Sequence, residues 1–456
     1  MTEINKARLF NASCVALIVT AMTFAIRAGL LGQLGEEFNL NDTQLGWMNA
    51  MAFLGFPVGT MIGGPLYNGL GPRKIMWVAV VCHVLGLVLT ITAGGFWGLV
   101  ISTFFIGLAN GSVEAACNPM IADLYEDNKT TMLNKFHVWF PGGIVIGSLV
   151  SLVMTRMGIG WQAQVGIMLI PTAIYAWMIL GQSFPKTIED SGIDLKKIFP
   201  PIYLLIVFLF ICVAASDLIL NPIVGESSAG IVKIVLIVAV IGLVFQRFGW
   251  LYAFLALCMS LTATSELGTQ QWVERILGNA GANPMVILAM VTGLMALGRY
   301  FGGPLIHRFK PIGVLLGSAV IATVALLLMS QATGAMVYVA AVLFAVGVCY
   351  FWPTMIGATA EYTPETGALG LSFMGGVGMF AVAIWQPIIG GWLDTERAKA
   401  IAAGQAGDAA DLIAGQATLD NLAFFPAILI VLFGILFFGF RSKLSDIQTG
   451  GATPAH

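Results

Sequence analysis

Long apolar runs carrying almost no charge recur along nearly the whole 456-residue chain, and they leave it few ways to fold. About 20 mostly apolar residues suffice to cross the hydrocarbon core of a bilayer as a helix. In that solvent every backbone N–H and C=O must find its partner within the protein, which a helix achieves inside its own segment. Composition agrees. Hydrophobic residues make up 58% of the chain and charged residues 10%, against roughly a quarter charged in a soluble domain. A soluble protein of this length could not hide so much apolar surface in one core. The predicted fold class is therefore an all-α polytopic membrane protein whose outer helix faces are solvated by lipid. The apolar stretch at the N-terminus is too long for a signal-peptide core and lacks a convincing cleavage site, so it reads as a retained first helix. The formal net charge of −2 argues against nucleic acid and other polyanionic partners. Cys14, Cys82, Cys117, Cys212, Cys258 and Cys349 all lie in apolar runs without C-x-x-C spacing. They read as small packed hydrophobes, and neither a metal nor another cofactor is expected.

Six spans are predicted between Leu9 and Phe184 and six more between Trp250 and Phe440. Between them lie a polar stretch, Pro185–Lys197, and two further apolar segments, Pro201–Asn221 and Ile231–Phe245. The expected organisation is an N-terminal six-helix bundle (1–184), a central linker with an inserted helix pair (185–248), a C-terminal six-helix bundle (249–441) and a cytoplasmic tail (442–456). One extra span would invert the second half, whereas two keep its loops on the original side. With fourteen spans and a cytoplasmic N-terminus, Lys6, Arg8, Arg73, Lys74, Lys129, Lys186, Lys196, Lys197, Arg247, Arg308, Lys310, Arg441 and Lys443 gather on the cytoplasmic side. Arg156, Lys233, Arg275, Arg397 and Lys399 remain opposite. That asymmetry favours the even insertion, with both termini cytoplasmic and the chain in the cell membrane. Thr395–Asp420, rich in Ala, Gly, Gln and Asp, is expected to form an exposed extracytoplasmic loop with some helix.

Landmarks repeat at nearly one offset. Gly63-Gly64-Pro65-Leu66 returns as Gly302-Gly303-Pro304-Leu305, Pro119-Met120-Ile121-Ala122 faces Pro353-Thr354-Met355-Ile356, and Gly142-Gly143 matches Gly375-Gly376. Parallel duplicated halves with a pathway between them are an established transporter plan.

The tightest motif joins the second and third spans: Gly64-Pro65-Leu66-Tyr67-Asn68-Gly69-Leu70-Gly71-Pro72-Arg73-Lys74. Small residues permit close helix packing, Gly71-Pro72 makes a short turn, and the basic pair anchors it to the cytoplasmic face. This loop resembles the signature of the major facilitator superfamily, Gly-x-Leu-x-Asp-Arg-x-Gly-Arg-Arg. Asn68 stands where the family has its acid, so the resemblance implies a hydrogen-bonding latch in place of an ionic one. Gly64, Asn68, Gly71, Arg73 and Lys74 are the candidate gating residues, joined by Arg308 from the weaker second copy, Gly303-Pro304-Leu305-Ile306-His307-Arg308. Glu114-Ala115-Ala116-Cys117-Asn118-Pro119, followed by Leu133-Asn134-Lys135-Phe136-His137, is similar to the fucose/sugar–proton symporter branch. There the fourth helix carries Glu-x-Ala-x-Asn-Pro and the fifth opens with Asn and His. The resemblance implies two six-helix bundles that rock about a central cavity lined by the first, fourth, seventh and tenth family helices. Fucose-type symporters carry an acid in the first helix. Phe24-Ala25-Ile26-Arg27-Ala28-Gly29 has a base there, so proton coupling through that helix does not carry over.

An ionisable side chain near the bilayer centre costs roughly 2.5–3.5 kcal/mol, so such residues are usually sheltered and functional. Arg27, Glu114, His137, Glu266 and Arg299 all sit within apolar spans. Arg27 and Glu114 are expected on facing cavity walls as a switchable pair. The alternative is a static bridge that fixes helix packing. In Glu266-Leu267-Gly268-Thr269-Gln270-Gln271-Trp272, Glu266 and Gln270 share a helix face. Carboxylate and amide groups beside an indole suit a polyhydroxylated ligand. Tyr350 and Trp352 could extend that wall or serve as interfacial aromatics. The candidate solute-binding set is thus Arg27, Glu114, Asn118, Asn134, His137, Glu266, Gln270, Gln271, Trp272, Tyr350 and Trp352, with Glu114, His137 and Glu266 as proton-coupling candidates. His83 reads as packing, and Asp217 lacks an obvious partner in its own span.

Uptake of a small polar solute, a monosaccharide or related metabolite, by a proton-driven monomer is the leading expectation. An exporter of amphipathic compounds or a non-transporting membrane sensor are the alternatives. An enzyme is not expected: no H-E-x-x-H metal motif or phosphate-cradling loop occurs.

Overall fold

The computed structural model describes residues 4–185, 201–224, 226–301 and 303–440. The predicted linker residues from 186 to 197, Gly302 and the predicted tail lie outside them, as do the side chains of Asn68 and Asn134. Among the described residues, fourteen helices are long and apolar enough to span a membrane. They are α1 (Lys6–Phe38), α2 (Asp42–Tyr67), α3 (Gly69–Ile91), α4 (Phe96–Leu124), α5 (Lys135–Arg156), α6 (Trp161–Ile179) and α7 (Pro201–Leu218). The remainder are α8 (Ala229–Phe248), α9 (Trp250–Gln271), α10 (Pro284–Phe301), α11 (Arg308–Met329), α12 (Ala335–Tyr362), α13 (Leu369–Ala402) and α14 (Asp408–Gly439). No strand occurs among the described residues. Helices α1–α6 form one bundle and α9–α14 the other, and α7 and α8 pack on each other as an inserted pair. With an even number of such helices, the start of α1 and the end of α14 lie on one face, here called the termini face.

Within a bilayer, helices cannot rely on the hydrophobic effect to associate, so close van der Waals approach does the work. Gly55 and Gly59 of α2 face Gly107 and Gly111 of α4, two small-x-x-x-small stripes meeting. A Cβ on Gly107 would lie 2.1 Å from the Ala52 carbonyl oxygen, and one on Gly111 2.0 Å from that of Phe56. The stripe does not extend to Gly64. A Cβ there would meet nothing within 4 Å, so the close packing expected at Gly64 is absent in this conformation.

The duplicated halves share a backbone device that the sequence repeat only hinted at. Gly71 turns α2 into α3 at φ 80°, ψ 152°, a region open almost only to glycine. At the matching turn near the start of α11, Lys310 adopts φ 63°, ψ 159°. Pro72 and Pro311 follow them in turn. The second half therefore holds a lysine in its twin's glycine conformation, at an expected cost of about 1–3 kcal/mol.

One predicted span gains an ion pair, and one predicted loop is largely helical. Lys233 lies in the helix Glu226–Phe248 and forms an ion pair with Asp217, which supplies the partner Asp217 lacked in its own span. A lone charge on either helix would be costly in lipid, and pairing offsets that cost. The exposed loop expected over Thr395–Asp420 shrinks to a brief connection, because one helix runs on to Ala402 and the next begins at Asp408. Ion pairs described below hold those helix ends against the first bundle, which accounts for their order.

The bundles meet along two seams, α2 on α13 and α5 on α10. On the face opposite the termini the first seam is tight: a Cβ on Gly46 would sit 2.5 Å from Pro387 Cα, and one on Gly390 2.1 Å from the Asp42 carbonyl oxygen. Helix α7 lies beside this seam and touches both halves. Its Phe210 ring stacks on Phe380 of α13 at 4.9 Å. Its Tyr203 hydroxyl donates to the Met61 carbonyl of α2 at 3.0 Å. Pro65, four residues on, has no N–H to offer that carbonyl, so the inserted helix supplies the missing donor.

Candidate functional site

Arg27 sits on α1, 7% exposed, where the two bundles meet. Its Nε donates to Asn49 Oδ1 on α2 at 2.9 Å, and its Nη2 donates to Gln271 Oε1 on α9 at 2.8 Å. The rings of Phe24 and Phe53 lie 5.1 and 5.6 Å from the guanidinium carbon. Gln271 returns a bond from Nε2 to the Phe24 carbonyl at 3.3 Å. The expected pairing of Arg27 with Glu114 is not made in this structure: neutral amides from both halves hold the guanidinium instead. Glu114 Oε2 accepts from Asn118 Nδ2 at 2.6 Å, and Asn118 Oδ1 lies 3.0 Å from His137 Nε2. A carboxylate only accepts, so the Asn118 amide must turn its NH2 toward Glu114 and its oxygen toward His137. The His137 Nε2 is then the donor. Asn118 lies one turn beyond Glu114 on α4, and His137 opens α5, which is how two helices bring the trio together.

Across the seam, α9 carries a π-helical turn at Thr264–Gly268. Such turns insert an extra residue and re-aim the side chains around it. Glu266 and Gln270 do share a face, and it is turned to α10. Arg299 Nη2 donates to Glu266 Oε1 at 2.9 Å, and Gln270 Nε2 lies 3.5 Å from Met295 Sδ. Arg299 Nε is anchored at 2.8 Å on the Cys349 carbonyl, which Pro353 four residues later cannot satisfy. Tyr350 donates to the Gly298 carbonyl at 2.8 Å, tying α12 to α10. Trp352 is half-buried and faces Gly375 and Gly378 of α13. Trp272 is fully buried rather than lining an open wall, since it follows directly on the seam-crossing Gln271. His83 is buried and bonded to the Tyr175 hydroxyl at 2.9 Å and to Asn110 Oδ1 at 2.8 Å, within the first bundle.

Exposure grades along the seam. Arg27, Gln271 and Glu266 are buried, Glu114 and Asn118 are half-buried, and His137 is exposed. Exposure of these polar side chains therefore rises from Arg27 to His137, toward the termini face. Arg73, Lys74 and Arg308 are exposed on that face.

The opposite face is sealed by ion pairs. Asp42, fully buried at the start of α2, accepts from Arg275 Nε at 2.7 Å and Nη2 at 3.1 Å. It also meets Arg397 Nη2 at 2.7 Å. Arg397 in turn pairs with Asp394 and Asp411. Asp394 accepts from the Asp42 and Thr43 backbone N–H groups and the Thr43 hydroxyl, at 3.0, 2.8 and 2.7 Å. Glu274 Oε2 accepts from the Gly32 N–H at 3.0 Å. Every one of these bonds except those of Arg397 to Asp394 and Asp411 joins the two halves. Sequence reasoning missed this latch, because its partners lie hundreds of residues apart, and it missed the buried Asn49 and Gln386, because no local spacing marks them.

The model of the Major Facilitator Superfamily matches residues 13–368. The chain belongs to this superfamily. Among curated superfamily relatives, a D-xylose transporter of Levilactobacillus brevis is 27% identical over 160 residues, covering 34% of this chain and 35% of that protein. The chain thus spans about a third of that relative's length in the match. Two solved superfamily structures share the fold. The E. coli xylose transporter XylE in an inward open conformation has a TM-score of 0.65 at 14% identity, over 93% of this chain and 96% of that one. A bacterial homologue of human drug peptide transporters has a TM-score of 0.70 at 14% identity, over 97% and 100%. These superfamily relatives are transporters, not enzymes.

Proposed function

We propose that this superfamily member is a secondary active transporter that moves a small polar solute, a monosaccharide or related metabolite, by alternating access and proton coupling. The carrying observation is the contrast between its two faces. The side opposite the termini is fastened across the halves by Asp42, Arg275, Arg397 and Asp394, while polar residues line the seam from buried Arg27 to exposed His137. Rocking that opens the latch and closes the termini side would expose the same site to the other compartment. The similarity to a D-xylose transporter supports a sugar-like cargo, and the loop-charge bias supports cytoplasmic termini in the cell membrane. Glu266 is suited to coupling: protonating it removes the charge that holds Arg299 and frees that guanidinium. Glu114 and His137 form the second candidate group, nearer the termini face, and the monomer suffices for all of these contacts. Counterflow in proteoliposomes tests the reading. Loaded unlabelled sugar or sugar acid should drive accumulation of the labelled compound, and wild-type protein that exchanges none of a panel of sugars, sugar acids and amino acids would refute it.

A further inference from the structure

We propose that the transported solute carries a single carboxylate, which Arg27 neutralises; this deepens, and rests on, the transport reading above. A guanidinium stays charged in proteins, and burying a charge without a counter-charge is strongly unfavourable. Arg27 is 93% buried yet forms no ion pair among the described residues. Glu266 is engaged by Arg299, Glu114, the expected partner of Arg27, by Asn118, and Glu274 by the Gly32 N–H. Its two partners, Asn49 and Gln271, are neutral, and Nη1 has no partner among the described residues. A void of ≈ 30 Å³ beside it, lined by Thr23, Thr90 and Thr103 among apolar residues, has room for little more than a water. A water in that space would hydrate the cation without neutralising it.

The surrounding groups point the same way. Besides Arg27 Nη1, the buried donors Asn49 Nδ2, Trp272 Nε1 and Gln386 Nε2 lack protein partners, against two such acceptors near the seam, Gln386 Oε1 and Glu266 Oε2. Asn49 and Trp272 adjoin Arg27 and Gln271. The Gln386 backbone packs on Gly46, one turn before Asn49. A neutral sugar offers hydroxyls that donate as readily as they accept and would leave these donors in excess. A carboxylate is acceptor-only and brings the missing charge. One uncompensated guanidinium matches a monoanion better than a phosphate ester, which carries about −1.5 to −2 at neutral pH. A carboxylate that bonds Arg27 also competes with Gln271, the Arg27 contact that crosses to the other half. Binding would thereby loosen the seam.

Matched pairs decide the matter. Purified full-length protein is titrated in a thermal-shift assay with D-glucose against D-gluconate and D-xylose against D-xylonate, with D-glucose 6-phosphate and amino acids alongside, and the same compounds compete in counterflow. The expected result is an aldonate preference of at least about tenfold in wild type, weakened by about tenfold to a hundredfold in Arg27→Gln, with Arg27→Lys intermediate. Equal or better binding of the aldoses, or an aldonate preference unchanged in Arg27→Gln, overturns the inference and leaves transport standing. If the phosphate ester outcompetes the aldonates, the monoanion assignment is wrong. If no compound shifts or exchanges with wild type, the transport reading fails and this inference falls with it. Should Arg27→Gln fail to fold, the wild-type preference within each pair still decides.

Discussion

Replacing Asp42 with asparagine should open the face opposite the termini. Asp42 holds two arginines from the other half, Arg275 at 2.7 and 3.1 Å and Arg397 at 2.7 Å, and its own side chain is wholly buried. Removing one partner of a fully buried ion pair costs about 3–5 kcal/mol. The arginines are 27% and 22% exposed, so solvent screening reduces this to about 1–3 kcal/mol. The amide oxygen can still accept one bond, and Arg397 keeps Asp394 and Asp411, which also limits the loss. These contacts exist only when that face is shut, so the whole difference acts on the equilibrium between shut and open. At about 1.4 kcal/mol per decade, it shifts that equilibrium about five- to hundredfold. Spin labels at Glu37→Cys and Gln405→Cys, both exposed on that face, report the separation by pulsed electron resonance. Five native cysteines are buried and Cys212 is partly so, which keeps background labelling low. A new population at longer distance is expected in Asp42→Asn, and a larger one in Asp42→Asn/Asp394→Asn. Distance distributions indistinguishable from wild type in both variants would show that the ion pairs do not hold the face closed.

Other substitutions probe separate links. Glu266→Gln should abolish accumulation driven by a pH gradient while sparing counterflow, because it removes the titrating group and retains the hydrogen bond to Arg299; retained gradient-driven uptake would exclude Glu266 from coupling. Lys310→Gly should stabilise the protein by about 1 kcal/mol or more, read as a higher midpoint of thermal unfolding, since it relieves a strained conformation; a lower midpoint would contradict the strain. Tyr203→Phe leaves the Met61 carbonyl without a donor and should cost about 1–3 kcal/mol, seen as a lower midpoint that α7 contacts alone cannot restore. Gly111→Ala should sharply reduce folded protein in size-exclusion profiles, because its Cβ would lie 2.0 Å from a backbone oxygen and the helices cannot part without losing packing; a normal profile would show that α4 shifts freely.

The spanning helices were legible from residue order because a bilayer imposes one rule on every segment: enough apolar length, with all backbone polar groups bonded within it. That rule marks fourteen candidate spans, and the recurrence of Gly-Gly-Pro-Leu points to two related halves. Short-range placements were legible too. Asn118 follows Glu114 by one helical turn, and Gln270 follows Glu266 on one face. What the chain order could not decide was which distant groups meet. Arg27 was matched to Glu114 by helix position alone, but the fold gives it Asn49 and Gln271, the latter 244 residues away. Arg275 and Arg397 looked like loop charges until packing brought both onto Asp42. Lys310 gave no sign of strain, because a φ angle is a property of the turn that its neighbours force. Side-chain partnerships across a seam depend on how two whole bundles dock, and only the tertiary structure supplies that.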